Sequence, residues 1–160
     1  MVVPDVVRRW LYRQRHASRL ARLLNAAQAR LAAAGIGPRW LVTVEVTGRR
    51  SGRTISFPAV IADYGNGRYL VSMLGEDTNW VRNVRASGGH AVLRHGHRRP
   101  VILRQVETDD RAPILRCYLQ RAPGARAHIA VDPRAPIEEF ERIAARYPVF
   151  RVTADGAARQ

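Results

Sequence analysis

Between two apolar runs the chain reads Val46-Thr47-Gly48-Arg49-Arg50-Ser51-Gly52-Arg53, with three arginines and two glycines in eight residues. Arginine carries a permanent charge on a planar fork whose parallel N–H groups match the oxygens of a phosphate or carboxylate. The glycines allow a tight turn, so that Ser51 and exposed backbone N–H groups can donate to the same anion. The segment therefore reads as an anion cradle made of Arg49, Arg50, Ser51, Gly52 and Arg53. A solvated basic hairpin is the competing interpretation.

Other candidate chemistry is sparse. His90, His95 and His97 fall within eight residues, but no acidic residue lies among them, so solvent-exposed loop histidines are favoured over a metal site. The single cysteine, Cys117, excludes an internal disulfide and most cysteine-based metal sites. All 27 basic residues are arginine, which removes any Schiff-base or general-base lysine. No nucleophile elbow, Walker loop, dinucleotide-binding glycine motif or paired-carboxylate motif is present. Redox chemistry with a bound organic cofactor survives these exclusions, because the cofactor moves the electrons while the protein binds and orients.

Strands must hold the turn. Trp40–Val46 and Ile55–Ile61 flank it and are rich in β-branched and aromatic residues. The second run extends to about Asp63, Tyr64-Gly65-Asn66-Gly67 turns the chain with an Asn-Gly pair that tolerates positive φ, and Arg68–Ser72 returns. Gly75-Glu76-Asp77-Thr78 then leads into a short helix, capped by Asp77 or Thr78, with Trp80, Val81 and Val84 on one side. Two further strands are expected at His90–Arg94 and Arg99–Val106. Asp110 is placed to cap a helix with Ile114, Leu115, Tyr118 and Leu119 on one face. Pro136 opens another, with Ile137, Phe140, Ile143 and Tyr147 at core spacing and a Glu138–Arg142 pair. Val149–Val152 reads as a last strand and 153–160 as a loose tail.

Before the barrel-like part, residues 1–37 read as a helical segment with apolar positions at Val6, Val7, Trp10, Leu11, Leu20, Leu23 and Leu24, arginines between them, and Gly35-Ile36-Gly37-Pro38 as its end. Together with Tyr12, Trp10 suits contact with anionic lipid; the alternative is a helix that covers a sheet or a partner subunit. Short antiparallel strands with appended helices predict an α+β fold with a small barrel-like sheet, one domain over 1–152 with its barrel at 38–152.

With 27 basic and 13 acidic residues the formal charge is +14, which attracts polyanionic ligands, nucleic acid or an anionic membrane face. No run approaches the roughly 20 apolar residues that span a bilayer. Arginines recurring from Arg8 to Arg22 break any signal-peptide pattern. A cytoplasmic protein is expected, with peripheral contact at the inner membrane face.

Taken together, Thr47-Gly48-Arg49-Arg50-Ser51-Gly52, Pro58, the strand ending Leu70-Val71-Ser72, and Asn79-Trp80-Val81-Arg82-Asn83-Val84 resemble the deazaflavin-dependent nitroreductase and quinone reductase family of actinobacteria. The resemblance implies a split β-barrel of the FMN-binding, flavin-reductase-like type that binds coenzyme F420. It implies that the cofactor's polyanionic tail lies on the arginine turn, that Ser72, Met73, Leu74 and Gly75 carry backbone donors toward ring or phosphate, and that Ser56, Pro58, Asn79, Trp80 and Asn83 complete the wall. Trp80 suits an ordinary core position equally well. The implied reaction is hydride transfer from reduced deazaflavin to a quinone, nitro compound or activated alkene, with Tyr118 and His128 as candidate proton donors. The chain departs from the family pattern at Ile55, where an arginine is usual, at Met73, where a basic residue is common, and at Val81, where tyrosine is. Residues 123–128 replace a tyrosine-rich substrate segment.

Three alternatives stand beside this reading: an FMN-using relative on the same barrel, a non-catalytic deazaflavin carrier, and a basic nucleic-acid-binding module. The last lacks aromatics arrayed on a strand and a recognition helix, so no specific nucleic acid is expected. A homodimer is expected from the way small barrels complete their clefts with a second subunit.

Overall fold

The computed structural model describes residues 19–156. The expected helical positions before Arg19, including Trp10 and Tyr12, lie outside the described residues. In order the elements are α1 (Arg19–Ala33), β1 (Leu41–Thr47), β2 (Thr54–Tyr64), β3 (Gly67–Val71), α2 (Asn79–Ala86), β4 (His90–His95), β5 (His97–Gln105), α3 (Arg111–Arg121), α4 (Ile137–Ile143) and β6 (Val149–Ala154).

The strands close into an antiparallel barrel in the order β1-β2-β3-β6-β5-β4, with β4 returning to β1. Closure removes exposed sheet edges. It depends on shared strands: β2 pairs with β1 from Thr54 to Val60 and then with β3 from Ile61 to Tyr64.

Side chains alternate along a strand, so one set of strands serves two cores. Val44, Ile61, Leu70, Leu103 and Phe150 point into the barrel. Their neighbours Ala62, Tyr69, Val71 and Val149 point outward and pack with Leu115 and Leu119 of α3 and Phe140 of α4. Val81 and Val84 of α2 pack into the barrel core, so this short helix is seated on the barrel by one face while Asn79, Arg82 and Arg85 stay exposed.

The α1 helix covers β1 and β2 in an unexpected orientation. Ala29, Ala32 and Ala33 are buried, whereas Leu23, Leu24 and Leu31 are 67%, 55% and 51% exposed. Alanines permit a close approach, and the Thr43 hydroxyl of β1 donates to the Ala29 carbonyl. Gly35 and Gly96 abut where the helix ends: a Cβ on Gly35 would lie 3.1 Å from the Gly96 Cα, and the Gly96 N–H donates to the Ala33 carbonyl at 3.0 Å. On the same outer face Glu45, with 7% of its side chain exposed, accepts from Arg94 at 3.0 Å and Arg98 at 2.7 Å. The pairing holds β1, β4 and β5 together and leaves no uncompensated buried carboxylate.

Several local expectations are corrected. Neither Thr78 nor Asp110 makes a side-chain cap bond; Asp77 instead pairs with Arg82 at 2.6 Å. The pair on α4 joins Arg142 to Glu139 at 2.5 Å, not to Glu138. Positive φ falls on Gly65, not on Asn66. Thr153 and Ala154 belong to β6, since Thr153 and Ala154 pair with Ile102 and Val101, and are not tail. His95 is half-buried, its Nδ1 3.0 Å from the Leu41 carbonyl, so it is not a free loop histidine.

One further buried group ties the helical layer to the barrel. Arg111 is 4% exposed, and it donates from Nε to the Val106 carbonyl at 2.9 Å and from Nη1 to the Ala144 carbonyl at 3.3 Å. Burial lowers its pKa, an effect opposed by the charges of Glu76 and Glu107. Arg111→Met keeps the length of the side chain but leaves both carbonyls without that donor, and an expected loss of about 2 kcal/mol would be read by urea denaturation. Phe140→Ala, which opens a cavity in the helix-side core, is expected to cost about 3–5 kcal/mol. A parent-like midpoint for Arg111→Met would show that its two bonds do not hold the layers together.

Candidate functional site

The arginine turn is a small closed ring. The Gly48 N–H donates to the Arg53 carbonyl and the Gly52 N–H to the Gly48 carbonyl, both at 2.8 Å. Gly52 takes φ +66°, and a Cβ on Gly48 would lie 2.8 Å from Ser51 Oγ and 3.2 Å from the Arg53 carbonyl. Both glycines are therefore required by the shape of the turn. Ser51 Oγ accepts from the Arg53 N–H at 3.3 Å, so its oxygen works inside the ring. The N–H groups of Arg50 and Ser51 meet no protein acceptor among the described residues.

The three arginines separate into two kinds. Arg49 folds onto α2: its N–H and Nη1 both donate to Asn83 Oδ1, at 3.2 and 2.9 Å, and Nη2 donates to Asn79 Oδ1 at 3.4 Å. Arg50 and Arg53 are exposed, and among the described residues their guanidinium groups make no ion pair or hydrogen bond. The cations of α2 itself are neutralised, Arg82 by Asp77 and Arg85 by Glu76, each at 2.6 Å. Beside α2, the turn is thus where arginines stand without a carboxylate partner among the described residues.

The loop after β3 approaches the start of α2. Ser72 is buried at 1% exposure; its hydroxyl donates to the Gly75 carbonyl at 2.7 Å and sits 3.2 Å from Thr78 Oγ1. The Ser72 and Gly75 N–H groups are likewise used internally, by the Pro148 and Ser72 carbonyls. Among the described residues no protein acceptor takes the N–H of Met73 or Leu74, so these two are the donors this loop can offer. Met73 is half-buried against the helix-side core, while Leu74 is 56% exposed. Ile55, also exposed at 41%, lies beside Gly48 in the turn.

The remaining expected residues divide between the two sides of the sheet. Ser56 and Pro58 lie opposite Glu45 and Thr43 on the outer face of the barrel. Trp80 points inward, with Phe57 and Phe150 each 5.4 Å away between ring centroids, and is chiefly a core aromatic. Tyr118 is 5% exposed among the side chains of α3 and α4, where burial pushes its hydroxyl pKa far up. His128 is half-buried on that side too; burial lowers its pKa, and its carbonyl accepts from the Tyr147 hydroxyl at 3.0 Å. Tyr118 belongs to the helix-side core against which Met73 of the 72–75 loop also packs. His90 lies 3.3 Å from Asp155 and His95 lies against the Leu41 carbonyl, so these two histidines serve separate contacts. An open cavity of about 250 Å³ is lined by Thr108, Asp109 and Glu141, whose acidity is the wrong chemistry for an anion.

Comparison with known proteins bears on the fold and the family. No curated protein matches the chain. Among solved structures, an F420-H2 dependent reductase (FDR-A) is 21% identical, with 72% of this chain and 95% of that one covered and a TM-score of 0.49. A protein solved as a domain-swapped dimer is 20% identical, over 84% of this chain and 94% of that one, at a TM-score of 0.51. A protein of unknown function from Agrobacterium tumefaciens is 11% identical over 79% of this chain and 53% of that one, at 0.52. The latter two place the barrel among known folds. The family model for F420H(2)-dependent quinone reductases matches residues 14–137, a span that takes in the arginine turn, the 72–75 loop and α2. With the expected split-barrel architecture in place around that span, the chain belongs to the F420H(2)-dependent quinone reductase family.

Proposed function

We propose that the arginine turn binds the phosphate and glutamate tail of coenzyme F420, that Met73 and Leu74 supply backbone donors nearer the ring, and that a quinone is reduced beside these two loops. Family membership makes the chain an F420-dependent oxidoreductase. The observation that carries the assignment is the pair of unneutralised arginines, Arg50 and Arg53, beside two uncommitted N–H groups. Such a site suits a polyanion and needs no rearrangement to receive one.

When bound in its reduced form, F420 supplies a hydride for transfer to the acceptor. The residues described here bind, orient and keep water away. Ile55 and Leu74 leave apolar side chains exposed by the turn and the loop, which suits a flat, apolar quinone ring. The proton that completes the quinol comes from solvent in this reading, because Tyr118 is buried and its hydroxyl pKa is pushed far up.

A second reading concerns α1. Its outward leucines, with Arg19, Arg22 and Arg30 on the same helix and no acidic residue between Val6 and Val44, suit an anionic lipid surface. No helix among the described residues is long and apolar enough to cross a membrane.

Arg50→Ala/Arg53→Ala is expected to weaken F420 binding roughly 100-fold, on the basis of two lost charge-assisted contacts, while FMN binds poorly to both proteins. Fluorescence titration at fixed salt checks this, and equal affinity in parent and variant would remove the turn from the site. For α1, co-sedimentation with phosphatidylglycerol vesicles is expected to exceed that with phosphatidylcholine and to fall for Leu24→Glu/Leu31→Glu. Vesicle binding unchanged by that substitution would discard the lipid contact, and a change in sedimentation coefficient without lipid would assign the face to a second copy.

A further inference from the structure

We infer that Asn83 is a positioning residue for the arginine turn, acting through Arg49, and that the anion is met by Arg50 and Arg53; the inference rests on the cradle reading above. The Asn83 side chain is 2% exposed, and a buried amide must find partners. Its oxygen takes two donors from one residue, the Arg49 N–H at 3.2 Å and Nη1 at 2.9 Å. Two bonds to one acceptor set the path of the chain at Arg49 as well as the direction of its side chain. Asn79, one helical turn earlier, takes Nη2 at 3.4 Å and completes the clasp.

The neutrality of the clasp matters as much as its geometry. On the same helix Arg82 and Arg85 are held by carboxylates, which cancel their charge. Arg49 is held by two amides, so its position is fixed while its charge still adds to the potential at the turn. Ordering the turn before the ligand arrives removes an entropic cost from binding. Asn83 thus prepares the cradle from a buried position, and its amide need not touch the cofactor.

The test titrates F420 and a tail-less deazaflavin into the parent, Asn83→Ala, Arg49→Ala and the double variant, following fluorescence. Asn83→Ala is expected to weaken F420 binding about tenfold and to change tail-less deazaflavin binding less than about twofold. Added to Arg49→Ala it should cost less than it does in the parent, the mark of two residues acting as one unit. Equal losses for both ligands, or losses from Arg49→Ala and Asn83→Ala that multiply, would overturn the inference. Should Asn83→Ala not fold, Arg49→Gln at the exposed end of the clasp serves instead: a tail-selective loss supports the clasp, and an equal loss for both ligands overturns it. Undiminished F420 binding by Arg50→Ala/Arg53→Ala would overturn the cradle reading itself, an outcome separate from any seen at Asn83.

Discussion

Closing six antiparallel strands on themselves leaves a barrel that must be filled, and the insertion of α2 into that core governs everything at the site. Val81 and Val84 anchor the helix among barrel residues such as Val44, Leu70 and Phe150. With a helical period of 3.6 residues, burying this face turns Asn79 and Asn83 together toward the β1–β2 turn. The hydrophobic term that seats the helix therefore also aims the two amides that hold Arg49.

The net charge of +14 becomes informative only when its arginines are sorted by their surroundings. Arg82, Arg85, Arg94, Arg98 and Arg121 spend their charge on neighbouring carboxylates. Arg111 is spent on backbone carbonyls inside the fold. Arg50 and Arg53 of the turn have no carboxylate partner among the described residues, so the field there is set by placement and not by the total. An arginine-rich composition could serve many anionic partners, whereas a glycine ring with two uncommitted N–H groups and two forks without a carboxylate partner offers an anion several donors in one place.

Apolar surface is distributed just as unevenly. Strand alternation gives the sheet two dry faces, one inside the barrel and one under α3 and α4. α1 adds little to either, since Ala29, Ala32 and Ala33 meet the sheet while Leu23, Leu24 and Leu31 remain outside. A helix docked by its small residues is held through close backbone approach, as at Gly35 and Gly96, and leaves its larger apolar side chains for another surface.

The residue types of the turn, the flanking β-branched runs and the apolar spacing of α2, α3 and α4 are local properties, and these pointed to the barrel class and the family. Partners were a different matter. The Ser72 N–H was expected to face a ligand, yet it donates to the Pro148 carbonyl, and its hydroxyl donates to the Gly75 carbonyl, because a short hydroxyl in a tight loop finds its own backbone sooner than a ligand. Asn83 looked like a wall of the site, and His95 like an exposed loop residue, until barrel closure brought Arg49 and Leu41 against them. Nothing within a few residues of Asn83 announces a bond to a chain segment 34 positions away. Sequence by itself therefore determined which chemistry the chain can offer. Tertiary structure decided which arginines are left to offer it, because neutralisation depends on distances that only the folded chain creates.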